Sequence, residues 1–193
     1  KSQMNNDNSN EISLLTDISA YSFKRLRHLM YAVVLIILDQ LTKYWSRAAF
    51  SDGSDISIIP GVLRFVLHKN TGAVWGFLSG TEHSVLYLTI ATIIILVLIV
   101  YIYFKIPDTR KFAPLLLIIT FVFSGAIGNL IDRIFLNYVT DFIYFEIINF
   151  PVFNVADCYV TVSVFLLCYL ILFKYDDTDL DFFSKKKKKS DIE

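Results

Sequence analysis

Four stretches dominated by apolar residues divide the chain, and the segments between them are either patterned or charged. Ser84 to Phe104 runs 21 residues without a charge. At about 1.5 Å per residue it reaches roughly 31 Å, the width of a bilayer's hydrocarbon core. Ala113 to about Ile131 forms a second such stretch, and Val155 to Phe173 a third, interrupted only by Asp157 near its start. Leu29 to Leu38 is fully apolar but short. It spans only by continuing through Asp39-Gln40-Leu41-Thr42-Lys43 to Tyr44 and Trp45, an aromatic pair suited to a membrane interface. The expectation is an all-α membrane protein with four transmembrane helices.

The segment after the first stretch is too regular for a linker. Ile56 to Ile59, the turn pair Pro60-Gly61, and Val62 to Leu67 read as two short strands about a turn. Asn70 to Leu78 follows, with Gly72 and Gly76 permitting tight turns and Trp75 and Phe77 suited to an interface. A small outward-facing β-sheet followed by an interfacial segment is predicted in this first outer loop, residues 50–83. The second outer loop, 134–152, is aromatic and β-branched and is expected to be partly extended. The domain plan is a disordered tail over residues 1–20, rich in Asn, Ser and Asp, a single four-helix membrane domain over 21–175, and a charged cytoplasmic tail over 176–193.

Composition and charge sharpen this plan. The chain of 193 residues is 55% hydrophobic with 17 Phe and 11 Tyr, an excess that points to a membrane protein. Its net charge is zero, but the charges are segregated. Lys24, Arg25 and Arg27 precede the first span, Lys105, Arg110 and Lys111 join the second to the third, and Lys174 and Lys185 to Lys189 follow the fourth. The positive-inside rule therefore places both termini in the cytoplasm. The lysine run reads as a solvated tail favouring anionic lipid, not as a nucleic-acid site. Cys158 and Cys168 lie ten residues apart on one helix. That is roughly 15 Å of rise, too far for a disulfide. Neither they nor His28, His68 and His83 have metal-ligand spacing, and no metal or cofactor is expected.

Polar residues inside these stretches carry the functional signal, because charge is expensive at membrane depth. Asp39 and Lys43 are four apart and can pair on one face, stabilising the bundle. Asn129 and Arg133 have the same spacing, and Gly125 and Gly128 thin that helix for close packing. Asn154 and Asp157 are three apart, and Asp141 lies in the preceding loop. Asn129 and Asp157 each lie 16 residues from the cytoplasmic end of their helix, roughly 24 Å up, and Lys43 reaches a similar height. One polar layer near the outer face is predicted, with two carboxylates able to share a proton and activate water. Asp132, beside Arg133 but on another face, reads as a structural ion pair.

In order along the chain stand Asp39-Gln40-Leu41-Thr42-Lys43, Asn70-Thr71-Gly72-Ala73, Gly125 to Arg133, Val139 to Ile143 and Phe153 to Asp157. Together they resemble the motifs of the bacterial lipoprotein signal peptidases, or signal peptidase II, over nearly the whole membrane portion. Ser124 departs from the family's usual glycine, Val74-Trp75 from Ala-Phe, and Thr140 from a common valine.

The resemblance implies an aspartyl endopeptidase of the bacterial cytoplasmic membrane, with its site near the outer face. It would cut diacylglyceryl-modified prolipoproteins before the lipidated cysteine, with Asp141 and Asp157 as the catalytic pair. Asn70, Gly72, Asn129, Arg133 and Asn154 would bind and orient substrate, while Asp39, Gln40, Lys43 and Asp132 would be structural. The implied partners are prolipoproteins and membrane lipids, and the chain is expected to act as a monomer. The competing reading is a small cation- or proton-coupled transporter, which predicts a polar path continuing to the cytoplasm.

Overall fold

The computed structural model describes residues 2–72 and 83–180, with side chains from residue 25 onward except at 177 and 180. Its elements are α1 (Ser2–Ala49), β1 (Asp55–Ile59), β2 (Leu63–Asn70), α2 (Ser84–Lys105), α3 (Ala113–Leu136), β3 (Val139–Phe145) and α4 (Val155–Phe173). Single 3-10 turns occupy Glu146–Ile148 and Asp177–Leu180. The expected interfacial segment after Thr71 falls largely outside the described residues, as does the lysine run.

Helices α2, α3 and α4 are long and apolar enough to cross a membrane. Their boundaries lie close to the sequence reading, though α3 continues past Ile131 to carry Asp132 and Arg133. It ends at Asn137, whose left-handed backbone (φ 61°) suits a helix C-terminus. Helix α1 is less apolar because Asp39 and Lys43 fall within it. Its helical backbone reaches back to Ser2, through the stretch expected to be a disordered tail. No glycine or proline occurs before residue 50 to break it.

The bundle is polar inside and apolar outside along α1. Asp39, Lys43 and Ser46 of α1 are fully buried, whereas Leu29, Val34, Leu38 and Leu41 are exposed. Close approach depends on two glycines of α3. A Cβ on Gly125 would lie 2.6 Å from the Ala156 carbonyl oxygen and 2.9 Å from Val160 Cγ2. A Cβ on Gly128 would collide with the Asp39 carboxylate. Helices α1, α3 and α4 therefore meet where larger residues could not. At the opposite end, Ile106, Phe112, Leu115, Leu116, Leu170 and Tyr175 form a separate apolar cluster.

Three antiparallel strands in the order β1-β2-β3 form a sheet beside the C-terminal end of α1. The predicted hairpin is present as β1 and β2, with Gly61 at φ 71° in its turn. The third strand is the partly extended second loop. It pairs with β2 so that Asp141 lies opposite His68, Thr140 opposite Lys69, and Val139 opposite Asn70. Trp45 of α1 ties the sheet to the bundle, with edge-on ring contacts to Phe50, Phe65 and Phe142 at 5.3, 5.8 and 6.2 Å.

Candidate active site

Asp157 is held by its own helix terminus. Asn154 is the N-cap of α4, and its side-chain oxygen accepts from the Asp157 backbone N–H at 3.1 Å. In return Asp157 Oδ2 accepts from the Asn154 N–H at 3.1 Å, completing a reciprocal capping box. Asp157 Oδ1 accepts from Asn129 Nδ2 at 2.8 Å. One carboxylate oxygen is thus fixed by a side chain of α3 and the other by the backbone at the start of α4.

Asp141 reaches the same place from the sheet. It is buried, and its oxygens accept from Asn70 Nδ2 at 2.8 Å and Asn154 Nδ2 at 2.6 Å. Asn70 is itself locked by the Gly72 N–H, which donates to its side-chain oxygen at 2.9 Å. Burial, and after it the nearby charge of Asp157, push the Asp141 carboxyl from 3.8 up to about 7. The amide hydrogen bonds and the charge of Lys43 oppose that rise without cancelling it.

Asn154 joins the two carboxylates: its amide donates to Asp141 Oδ1 and to Asn129 Oδ1 while its backbone and oxygen hold Asp157. Asn129 Oδ1 also accepts from Lys43 Nζ at 2.8 Å, which fixes the orientation of its amide toward Asp157. Below this, Lys43 and Asp39 pair at 2.9 Å with both side chains fully buried. The other Asp39 oxygen accepts from the Ala156 N–H at 2.9 Å, one residue before Asp157. Gln40 donates to Asp39 Oδ2 and to the Gly128 carbonyl, at 3.1 and 3.0 Å. Asp132 is almost fully buried, lies 3.9 Å from both Lys43 and Arg47, and accepts from the Thr140 N–H at 2.8 Å. Arg133 is half-buried within reach of the charges of Asp157, Asp141 and Asp132.

Hydrogen bonds and ion pairs thus bring together Asn70, Asn129, Asp141, Asn154 and Asp157 with Asp39, Gln40, Lys43 and Asp132, Gly72 acts through its backbone, and Arg133 stands within reach of their charges. Sequence reasoning missed two features. The capping box was written in the Asn-x-x-Asp spacing at the start of α4. Arg47, one helical turn beyond Lys43, donates to Thr140 Oγ1 at 2.8 Å, and only its i,i+4 relation to Lys43 could have pointed to it. Among the described residues no cluster of three or more His, Cys, Asp or Glu could hold a metal ion. The arrangement suits proton exchange with a water between two carboxylates, one of them poised near neutrality.

The chain is similar to named proteins and solved structures. Lipoprotein signal peptidase of Staphylococcus aureus strain JH9 is 38% identical over 146 residues, 75% of this chain and 86% of that protein. A solved structure described as a bacterial membrane enzyme, determined by the in meso method at 2.3 Å, matches with a TM-score of 0.64 and 37% identity. That match covers 86% of this chain and 94% of the other. A second, at 1.9 Å, matches with a TM-score of 0.65 and the same identity, over 77% and 94%. The family model for Signal peptidase (SPase) II matches residues 31–173, and the chain belongs to that family.

Proposed function

We propose that the chain is the aspartyl endopeptidase that removes the signal peptide from diacylglyceryl-modified prolipoproteins, cutting before the lipidated cysteine. The observation that carries the catalytic assignment is the Asn154 side chain, which links Asp141 and Asp157 within one buried layer. Near neutral pH the two carboxylates share one proton, because a second charge in so buried a place is unfavourable. The ionised member takes a proton from the attacking water, and the protonated member polarises the scissile carbonyl. Collapse of the tetrahedral intermediate returns a proton to the leaving amine. Asn129 and Asn154 keep the carboxylates oriented. Arg133 supplies a guanidinium for the substrate backbone, and Asn70, locked by Gly72, holds Asp141 from the sheet side.

In this reading α1 is the fourth span, its buried charges facing the bundle and its leucines facing lipid. Both termini are cytoplasmic, the site lies near the outer face of the bacterial cytoplasmic membrane, and the chain acts as a monomer. The substrate's acyl chains lie against apolar helix faces and bring the scissile bond to the polar layer. A transporter finds no support. Thr120 and Ser124, the α3 hydroxyls below the layer, donate back to their own helix at 2.8 and 2.7 Å. They leave no polar path there for an ion.

The test is release of signal peptide from lipidated and unlipidated prolipoprotein by the purified protein. Cleavage is expected only of the lipidated form and is expected to survive chelation. Asp141→Asn and Asp157→Asn each lower turnover by about 10²–10⁴-fold in folded protein. Near-wild-type turnover by either variant would overturn the catalytic pair.

A further inference from the structure

Each aspartate of the pair is preceded by a residue tied to the polar face of α1. Ala156, before Asp157, donates its N–H to Asp39. Thr140, before Asp141, is fully buried and held twice, by Arg47 at its hydroxyl and by Asp132 at its N–H, both at 2.8 Å. Asp39, Lys43 and Arg47 follow one another at four-residue intervals, so a single helical face reaches both attachments. Arg47 Nη1 also lies 3.9 Å from Asp132 Oδ1, so the two groups that grip Thr140 brace each other.

We propose that in this chain, where Thr140 stands in place of the family's common valine, Arg47 is a positioning residue for the proteolytic pair: together with Asp132 it clamps Thr140 and so fixes where Asp141 stands relative to Asp157. The proposal rests on the dyad reading above. Strand β3 is attached to β2 along its length, but its ladder with β2 is irregular between Phe65 and His68, just before the pair His68–Asp141. The sheet alone therefore leaves Asp141 less firmly placed than a regular ladder would. A clamp from the bundle at the neighbouring residue supplies the missing constraint. Proton transfer through an ordered water tolerates about 0.5 Å of misplacement, and about 1 Å costs on the order of 100-fold in rate.

Thr140→Val removes the hydroxyl at nearly constant volume and leaves the Asp132 bond to the N–H in place. Arg47→Ala removes the donor, and Asp132 still faces Lys43. Because Arg47 is 25% exposed, water replaces its lost partner in the valine variant, and both proteins are expected to fold.

Turnover of the lipidated prolipoprotein is measured beside thermal stability. Each variant is expected to lose about tenfold to 100-fold in kcat with KM within about twofold, and Thr140→Ser is expected to recover most of the loss. The double variant Arg47→Ala with Thr140→Val is expected to be no slower than the slower single, since both remove one interaction. A folded Thr140→Val enzyme with wild-type kcat, an unrescued serine variant, or losses that multiply in the double variant would each overturn the clamp. Asp141→Asn, assayed in parallel, separates the two ideas. If it is inactive while the clamp variants are normal, only the clamp fails, and if it is active, the dyad itself fails.

Discussion

Replacing Asp141 by asparagine should make the protein more stable at alkaline pH while removing its activity. The carboxyl is raised from 3.8 to about 7, first by burial and then by the charge of Asp157. A raised acid holds its proton in the folded state over a pH range where the unfolded chain has released it. Stability from this group is therefore present below the unfolded value and is lost as pH rises toward 7. Above that, the folded protein carries a penalty of about 4 kcal/mol, at 1.36 kcal/mol per pH unit. Asparagine cannot ionise, so the penalty disappears. Against this, it offers one acceptor oxygen where aspartate offers two, and the Asn70 and Asn154 amides both donate here. One donor left facing an NH₂ group costs about 1–3 kcal/mol. The balance is a gain of about 1–3 kcal/mol at pH 8, or several degrees in Tm at roughly 2–4 °C per kcal/mol. Thermal unfolding of both proteins in neutral detergent at pH 4, 6 and 8 reads the difference. The gain should be largest at pH 8, shrink at pH 6 and turn into a deficit of about 1–3 kcal/mol near pH 4, where the penalty is nearly gone and the lost acceptor remains. A variant no more stable at pH 8, or a gap that ignores pH, would refute the reasoning.

At the Asp39–Lys43 pair the expected direction is reversed. Asp39→Asn strands a fully buried lysine and is expected to destabilise by about 3–5 kcal/mol, seen as lost Tm in detergent. Protein that does fold should keep a larger share of its turnover than Asp141→Asn does, and full stability without turnover would move Asp39 into the catalytic group. Gly125→Ala places a Cβ 2.6 Å from the Ala156 carbonyl oxygen, a backbone atom that cannot step aside. It is expected to lower stability by about 1–3 kcal/mol, and an unchanged Tm would show that α3 and α4 can slide apart at this crossing.

Much of this was readable in the residues because lipid enforces simple rules. A helix crossing hydrocarbon must be continuously apolar, so α2 and α4 could be delimited almost to the residue. Charges inside such helices must turn inward and find partners, so counting residues from the helix ends expected to be cytoplasmic put Lys43, Asn129 and Asp157 at one height. Strand β3 was harder. Its first four residues, Val139 to Phe142, are all buried, so the alternation that marks a half-exposed strand is missing. Its pairing with β2 joins residues about 70 to 80 positions apart, which no local pattern records. Which donor meets which acceptor was also hidden, because several amides and carboxylates at one height allow many pairings. Only the geometry selects the one in which Asn154 serves both acids.

That selection has a consequence for how stability and activity are distributed. Gly128 lies where a side chain would displace the Asp39 carboxylate, and Asp39 holds the backbone immediately before Asp157. The close packing of α1, α3 and α4 and the placement of Asp157 thus depend on the same few atoms. Damage there should lower stability and turnover together. Asp141 differs: it is carried by a strand outside the helical crossing, and its burial raises the energy of its charged form. Fold and chemistry pull against each other at Asp141, which is why removing its charge is expected to stabilise the protein at alkaline pH and silence it at once.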